Sequence, residues 1–280
     1  VKEGILGLVV RGGGDSVVSG TGAFVLPGRI GGKFIAVPFA CIDVDVSGPS
    51  RLSRLASLRS ILRKLEGYEK SWKQYREALR EYRNRKPRDV ENKLKEPAPP
   101  KSDPMLDRLL EARKRAIPLF VKAQRGDEIE EALKLLADEG GYECALVDAW
   151  GIEHVENVAR MCRGVIVTPP YLRRIEGREV DLPKLLARRD IPFALATKGA
   201  EGTYYLRFYA AEAVRRGLSS DMALRAVTSV PARLLGISDR FGLIAEGRFA
   251  DLVVYDGDVF EPGAQVIMVF VEGRQLYKRP

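Results

Sequence analysis

Apolar and polar positions along this chain follow two rhythms. Near the start, the β-branched runs ILGLVV (5–10), SVVSGTGAFVL (16–26) and KFIAVPFACIDVDV (33–46) are separated by Gly, Asp and Ser turns, which predicts strands. From Ser50 the period lengthens. Leu55, Leu58, Leu62, Leu65, Tyr68, Trp72, Tyr75, Leu79 and Tyr82 recur at steps of three and four, predicting one helix with a continuous apolar and aromatic stripe. At roughly 1.5 Å per residue such a helix runs on the order of 50 Å. Residues 87–104, PRDVENKLKEPAPPKSDP, are charged and rich in proline and read as a surface loop.

After a short helix over 107–115, strands and helices alternate. Strands are predicted at 117–123, 142–149, 164–169 and 192–197, followed by helices at 127–139, 153–162, 181–189 and 205–216. Four such repeats with short linkers predict a parallel sheet of the α/β class. Near the chain end, 210–217 and 220–228 read as two short helices, broken by Gly217 and opened by Ser219-Ser220-Asp221. The runs 250–255 and 266–272, bounded by glycines, read as a small antiparallel sheet.

Composition adds limits. With 280 residues, 45% of them hydrophobic, the chain can bury one large core, or one core and a small satellite domain. The apolar run at 266–271 is far short of the roughly 20 residues that cross a bilayer, so no membrane span is expected. The reading is cytoplasmic, with a leader or a longer segment ahead of Val1 left open because that residue is not Met. Cys41, Cys144 and Cys162 are widely spaced and odd in number, which favours buried free thiols over disulfides or a metal knuckle. The net charge of +8 has one source: between Arg51 and Lys86 there are twelve Lys or Arg against Glu66, Glu69, Glu77 and Glu81, so the rest of the chain sums to zero. The aromatics share the stripe with the leucines, so packing explains them better than base stacking, and nucleic acid is the least favoured partner.

The words ALRAVTSVPARLLGI, GLIAEGRFADLVVYDGD and VFVEGRQLY, in this order over the last seventy residues, closely resemble the C-terminus of the amidohydrolase superfamily, in its imidazolonepropionase and dihydroorotase branch. The resemblance implies an incomplete (β/α)8 TIM-like barrel over 1–235, with an inserted long helix and Pro-rich loop at 50–104, and a small C-terminal β-sheet over 236–280 that forms part of a composite β-sandwich. GLVVRGGGDSVVSGTGAFVL resembles a stretch that follows the first barrel strand in one subgroup. On that placement the HxH pair of strand one lies outside this sequence. Read without the resemblance, Arg11-Gly12-Gly13-Gly14-Asp15-Ser16 lacks the Lys-Ser/Thr ending of a phosphate loop and reads as a glycine-rich turn.

The resemblance also locates the chemistry. Amidohydrolases hold metal at the C-terminal ends of the barrel strands, through the HxH pair, a carboxylated Lys or a Glu on strand four, His residues after strands five and six, and an Asp after strand eight; the metal activates water and polarises the scissile carbonyl. Where the subgroup reads HAHRADDI after strand five, this chain reads Lys122-Ala123-Gln124-Arg125-Gly126-Asp127-Glu128-Ile129, so both imidazoles are replaced. Ala149 stands near the His expected after strand six, and Lys198 takes the place of the catalytic Asp after strand eight. The single histidine, His154, lies past a strand end inside a predicted helix and reads as a surface residue.

These substitutions point to an amidohydrolase-like chain without its own metal centre, acting as a non-catalytic subunit. Lys122, Gln124, Ala149 and Lys198 are its degenerate positions, and Arg125, Asp148 and Lys198 its binding candidates. A Lys122 and Lys198 pair facing one barrel mouth would favour an anion over a divalent cation. No cofactor is expected. The partner is another protein chain, an active paralogue in a hetero-oligomer, contacted through Tyr68, Trp72, Tyr75 and Tyr82. The alternative is a metal-dependent hydrolase of C–N bonds, such as those of cyclic amides, with a divalent metal such as zinc held by ligands from an unseen segment or by Asp127, Asp148 and His154.

Overall fold

The structure, a computed structural model, describes residues 3–29, 34–85, 95–155, 161–175, 177–199 and 201–280. Three strands open it: β1 (Leu8–Val10), β2 (Val18–Val25) and β3 (Ile35–Asp45), joined antiparallel. Helix α1 (Arg51–Arg85) follows as one unbroken element. Leu55, Leu58, Leu65 and Tyr68 of its first half are buried, whereas the stripe from Trp72 onward is half-exposed. Residues 95–103 have no regular structure, and 86–94, the remainder of the expected loop, lie outside the described residues. Helix α2 (Pro104–Arg115) starts where Asp103 accepts from the backbone N–H groups of Met105 and Leu106, with Pro104 losing no hydrogen bond in the first turn.

The α/β repeat then runs as read. Strands β4 (Leu119–Lys122), β5 (Cys144–Val147) and β6 (Val165–Val167) are parallel to one another and to β3. Helix α3 (Gly126–Leu133) continues as a π-helical turn over Lys134–Glu139. A hairpin, β7 (Leu172–Ile175) with β8 (Arg178–Asp181), precedes helix α4 (Leu182–Arg188) and strand β9 (Phe193–Leu195), which completes the seven-stranded sheet in the order β1-β2-β3-β4-β5-β6-β9. Helices α5 (Leu206–Arg215), α6 (Ser220–Val227) and α7 (Ser229–Leu234) lead to a separate sheet of β10 (Leu252–Tyr255), β11 (Val266–Val271) and β12 (Arg274–Lys278). The curled parallel sheet, with α1 to α4 against one side and α7 against the other, is an incomplete TIM-like barrel.

Three local expectations are corrected. The helix expected over 153–162 does not begin at 153: Ile152–His154 forms a 3-10 turn and Val155 is extended, Met161 is helical, and residues 156–160 lie outside the described residues. Packing explains this: the Gly151 N–H donates to the Gln124 carbonyl at 2.6 Å, and a Cβ on Gly151 would sit 2.4 Å from the Gly126 nitrogen, so the backbone is pressed onto its neighbour before a helix can open. The stretch read as a loop before Asp181 holds the β7–β8 hairpin, turned at Gly177 with φ +82°. Beyond the two expected C-terminal strands, β12 pairs with β11 through a turn at Glu272 and Gly273, both at positive φ.

The strand residues sort by parity. Ile42, Val44, Leu119, Val121, Leu146, Val165, Val167 and Leu195 pack into the large core with Leu58, Leu106, Ile129 and Leu186 of the helices. The alternating set, Cys41, Phe120, Ala145, Val147, Ile166 and Ala194, forms a second cluster with Leu234 of α7 on the concave face. Strands buried on both faces are the reason these segments read as continuous apolar runs.

Candidate active site

The registers place the concave side chains in rows. Asp43 of β3 is level with Phe120 and Ala145; one step toward the C-terminal ends, Asp45, Lys122, Val147, Ile166 and Ala194 are level across five strands. This is the mouth at which barrel enzymes build their sites. Lys122 does not face it as a free cation. Its Nζ lies 3.2 Å from Asp45 Oδ2, and the Ser47 hydroxyl and backbone N–H donate to Asp45 Oδ1 at 2.7 and 2.9 Å. Burial works to raise the Asp45 carboxyl; the bonds from Ser47 and Lys122 outweigh it and hold the group below the usual carboxylate range.

Beneath Asp45, Asp43 is 4% exposed and meets Arg11, whose Nε donates to Asp43 Oδ1 at 2.7 Å and whose guanidinium lies 5.5 Å from the Phe120 ring centroid. Burial keeps the Asp43 carboxyl above its usual range despite Arg11. The neighbouring Cys41 thiol is pushed up to about 12, by burial first and the Asp43 charge second. The glycine-rich turn makes this possible. A Cβ on Gly12 would sit 3.1 Å from Gly20 Cα, and one on Gly22 2.4 Å from Cys41 Sγ. Glycines here let the segment carrying Arg11 lie close beside β2, so that its side chain reaches over β2 to Asp43 of β3. Arg11, Asp43 and Asp45 escaped the sequence reading, although the alternation in Cys41-Ile42-Asp43-Val44-Asp45 puts both carboxylates on one face.

The remaining site residues separate. Asp148, at φ +51°, turns the chain at the end of β5 and is buried. Its Oδ1 accepts from the Thr168 backbone N–H at 2.8 Å and its Oδ2 from the Thr168 hydroxyl at 2.7 Å, tying β5 to the end of β6. After that turn Ala149 lies fully buried in the core on the helix side, with Trp150 and Ile152. Gln124 and Arg125 donate their backbone N–H groups to Glu128 Oε2 at 2.8 and 3.2 Å, capping α3, while the exposed Arg125 side chain pairs with Asp127 at 3.1 Å. Lys198 is exposed beyond β9. His154 is exposed beside Glu153, with Nε2 to Oε1 at 3.3 Å.

Among the described residues at these strand ends, the side chains present do not make a set of metal ligands. Lys122 and Lys198 repel a divalent cation, Ala149 offers no lone pair, and the carboxylates at Asp43, Asp45, Asp148 and Glu128 are each engaged by a cation, a hydroxyl or backbone N–H groups. Among the described residues, no three His, Cys, Asp or Glu side chains come together in a way that could hold an ion.

Comparison with known proteins agrees with the fold. A crystal structure of an amidohydrolase from Thermotoga maritima MSB8 superposes with a TM-score of 0.76 over 99% of this chain and 73% of that one, at 21% identity. Identity this low speaks for the fold alone. Amidohydrolase tasK of Hapsidospora irregularis is 38% identical over 71 residues, a stretch that covers 25% of this chain and only 7% of that protein. The pattern of the amidohydrolase family matches residues 31–276, most of the sequence, and the chain belongs to that family.

Proposed function

We propose that this chain is a non-catalytic amidohydrolase-like subunit, which performs no metal-dependent hydrolysis of its own and assembles with a second, histidine-bearing amidohydrolase chain. The observation that carries this reading is the chemistry of the strand ends. Where a hydrolase of this fold needs imidazoles and a free carboxylate, this chain presents Lys122, Gln124, Ala149 and Lys198, and its concave-face acids Asp43 and Asp45 already meet Arg11 and Lys122.

Native mass spectrometry of the protein taken from its own source tests this, because one spectrum reports bound metal and bound chains together. The expected result is a metal-free chain with a second amidohydrolase chain attached. A chain that carries one or two divalent ions, hydrolyses a cyclic amide and loses that activity on Lys198→Ala overturns the reading. It would make the protein a metal-dependent hydrolase of C–N bonds with ligands from outside the set described above.

A further inference from the structure

The charge of α1 is unevenly used. In its first half every cation but Arg63 is paired: Arg51 with Asp127 at 3.5 Å, Arg54 with Asp45 at 3.9 Å, Arg59 with Glu131, and Lys64 with Asp103 at 2.7 Å. In the second half, Lys70, Lys73, Arg76, Arg80 and Arg83 are exposed and have no ion pair among the described residues. At this boundary α1 and α2 flank a groove of about 520 Å³. Trp72 and Leu110 supply apolar walls, and Arg76 and Lys114 supply cations.

The acids of the groove are already satisfied. Glu69 is ion-paired to Arg113, and Asp107 accepts from the Tyr68 hydroxyl at 2.6 Å and the Ser102 hydroxyl at 3.1 Å. Arg76 and Lys114 have no such partner among the described residues, so the groove's three cations exceed its two acids by one, beside an apolar wall. We propose that it seats an acidic, extended segment of a partner protein, with carboxylates meeting Arg76 and Lys114 and an apolar side chain resting on Trp72 and Leu110. A single-stranded nucleic acid fits less well. Trp72 packs edge-to-face with Tyr68 at 6.2 Å and with Tyr75 at 5.7 Å, so the rings that would stack on bases are engaged with one another. The proposal rests on the reading of the chain as a partner subunit, and supplies the partner's chemistry.

A fluorescently labelled Glu-rich peptide carrying one leucine is the probe, titrated against the full chain. Binding should shift the emission of Trp72, while Trp150, 3% exposed, stays constant. Arg76→Glu and Lys114→Glu should each weaken binding about tenfold, equivalent to about 1.4 kcal/mol. Lys70→Glu makes the same change of charge on α1 away from the groove, and should alter binding about twofold at most. Three results overturn the proposal: no binding of the peptide, equal losses in all three variants, which would mean diffuse attraction, or tighter binding of a single-stranded oligonucleotide through the same residues. The two readings fail separately. A peptide that does not bind a metal-free chain removes the groove alone, whereas a seated peptide on a metal-loaded, hydrolysing chain sustains the groove and removes the non-catalytic assignment.

Discussion

Asp148→Ala is expected to cost the fold about 3–5 kcal/mol, because it strands a buried backbone N–H and a buried hydroxyl of Thr168 and removes two charge-assisted hydrogen bonds at once. It also puts a residue with no local polar compensation at φ +51°, where Asp and Asn are better tolerated. Asp148→Asn keeps an acceptor for the N–H, and its amide can donate to the hydroxyl, so a loss of about 1 kcal/mol is expected there. Urea unfolding of the two variants beside wild type measures both. If Asp148→Ala stays within about 1 kcal/mol of wild type, water replaces the carboxylate easily, and Asp148 is free to act as the binding residue that its place at a strand end first suggested.

Arg11→Met should cost about 2–4 kcal/mol at neutral pH, since it leaves the Asp43 carboxylate buried without its cation, the partial exposure of Arg11 keeping the loss below that of a fully enclosed pair. The pH dependence gives the argument its sharper form. Burial holds the folded Asp43 carboxyl above its unfolded value, so its contribution to stability is complete at acid pH, below the unfolded value, and is lost as pH rises through the folded one. Without Arg11 the folded value climbs further and the window of loss extends upward. The deficit of the variant should therefore be largest near neutrality and shrink as pH falls into the range where carboxylates protonate. A deficit constant across that range would show that Arg11 acts by packing on Phe120, with its charge unimportant.

Much of this fold is legible in the sequence wherever one period persists. The runs around Leu119, Cys144, Val165 and Phe193 are apolar on both faces and became parallel strands, and the stripe from Leu55 to Tyr82 became one helix. What escaped depends on partners that no local pattern names. Leu172-Arg173-Arg174-Ile175 and Arg178-Glu179-Val180-Asp181 form a two-stranded ribbon with too few apolar residues to show alternation. The helix read from 153 does not start there because Gly151 is pressed against Gly126, more than twenty residues earlier in the sequence. In the site, Lys122 and Asp148 are positions that could be named in advance, whereas their roles depended on Asp45 and Thr168 arriving across the sheet. Arg11 was hidden for the same reason: a lone cation in a glycine-rich turn declares nothing until β2 and β3 bring it to Asp43.

The uneven anchoring of α1 gives one helix two stabilities. Amide protons before Tyr68 share the protection of the barrel core, whereas those beyond Trp72 can exchange by fraying of the tip, without global opening. The tip also repels itself, because Lys73, Arg76, Arg80 and Arg83 follow one another at spacings of three and four. Salt relieves that repulsion and firms the last turns. A carboxylate lodged between α1 and α2 would do the same from one side, so filling the groove and ordering the tip become a single coupled equilibrium, and the exchange rates of the last turns of α1 report on whether the groove is occupied.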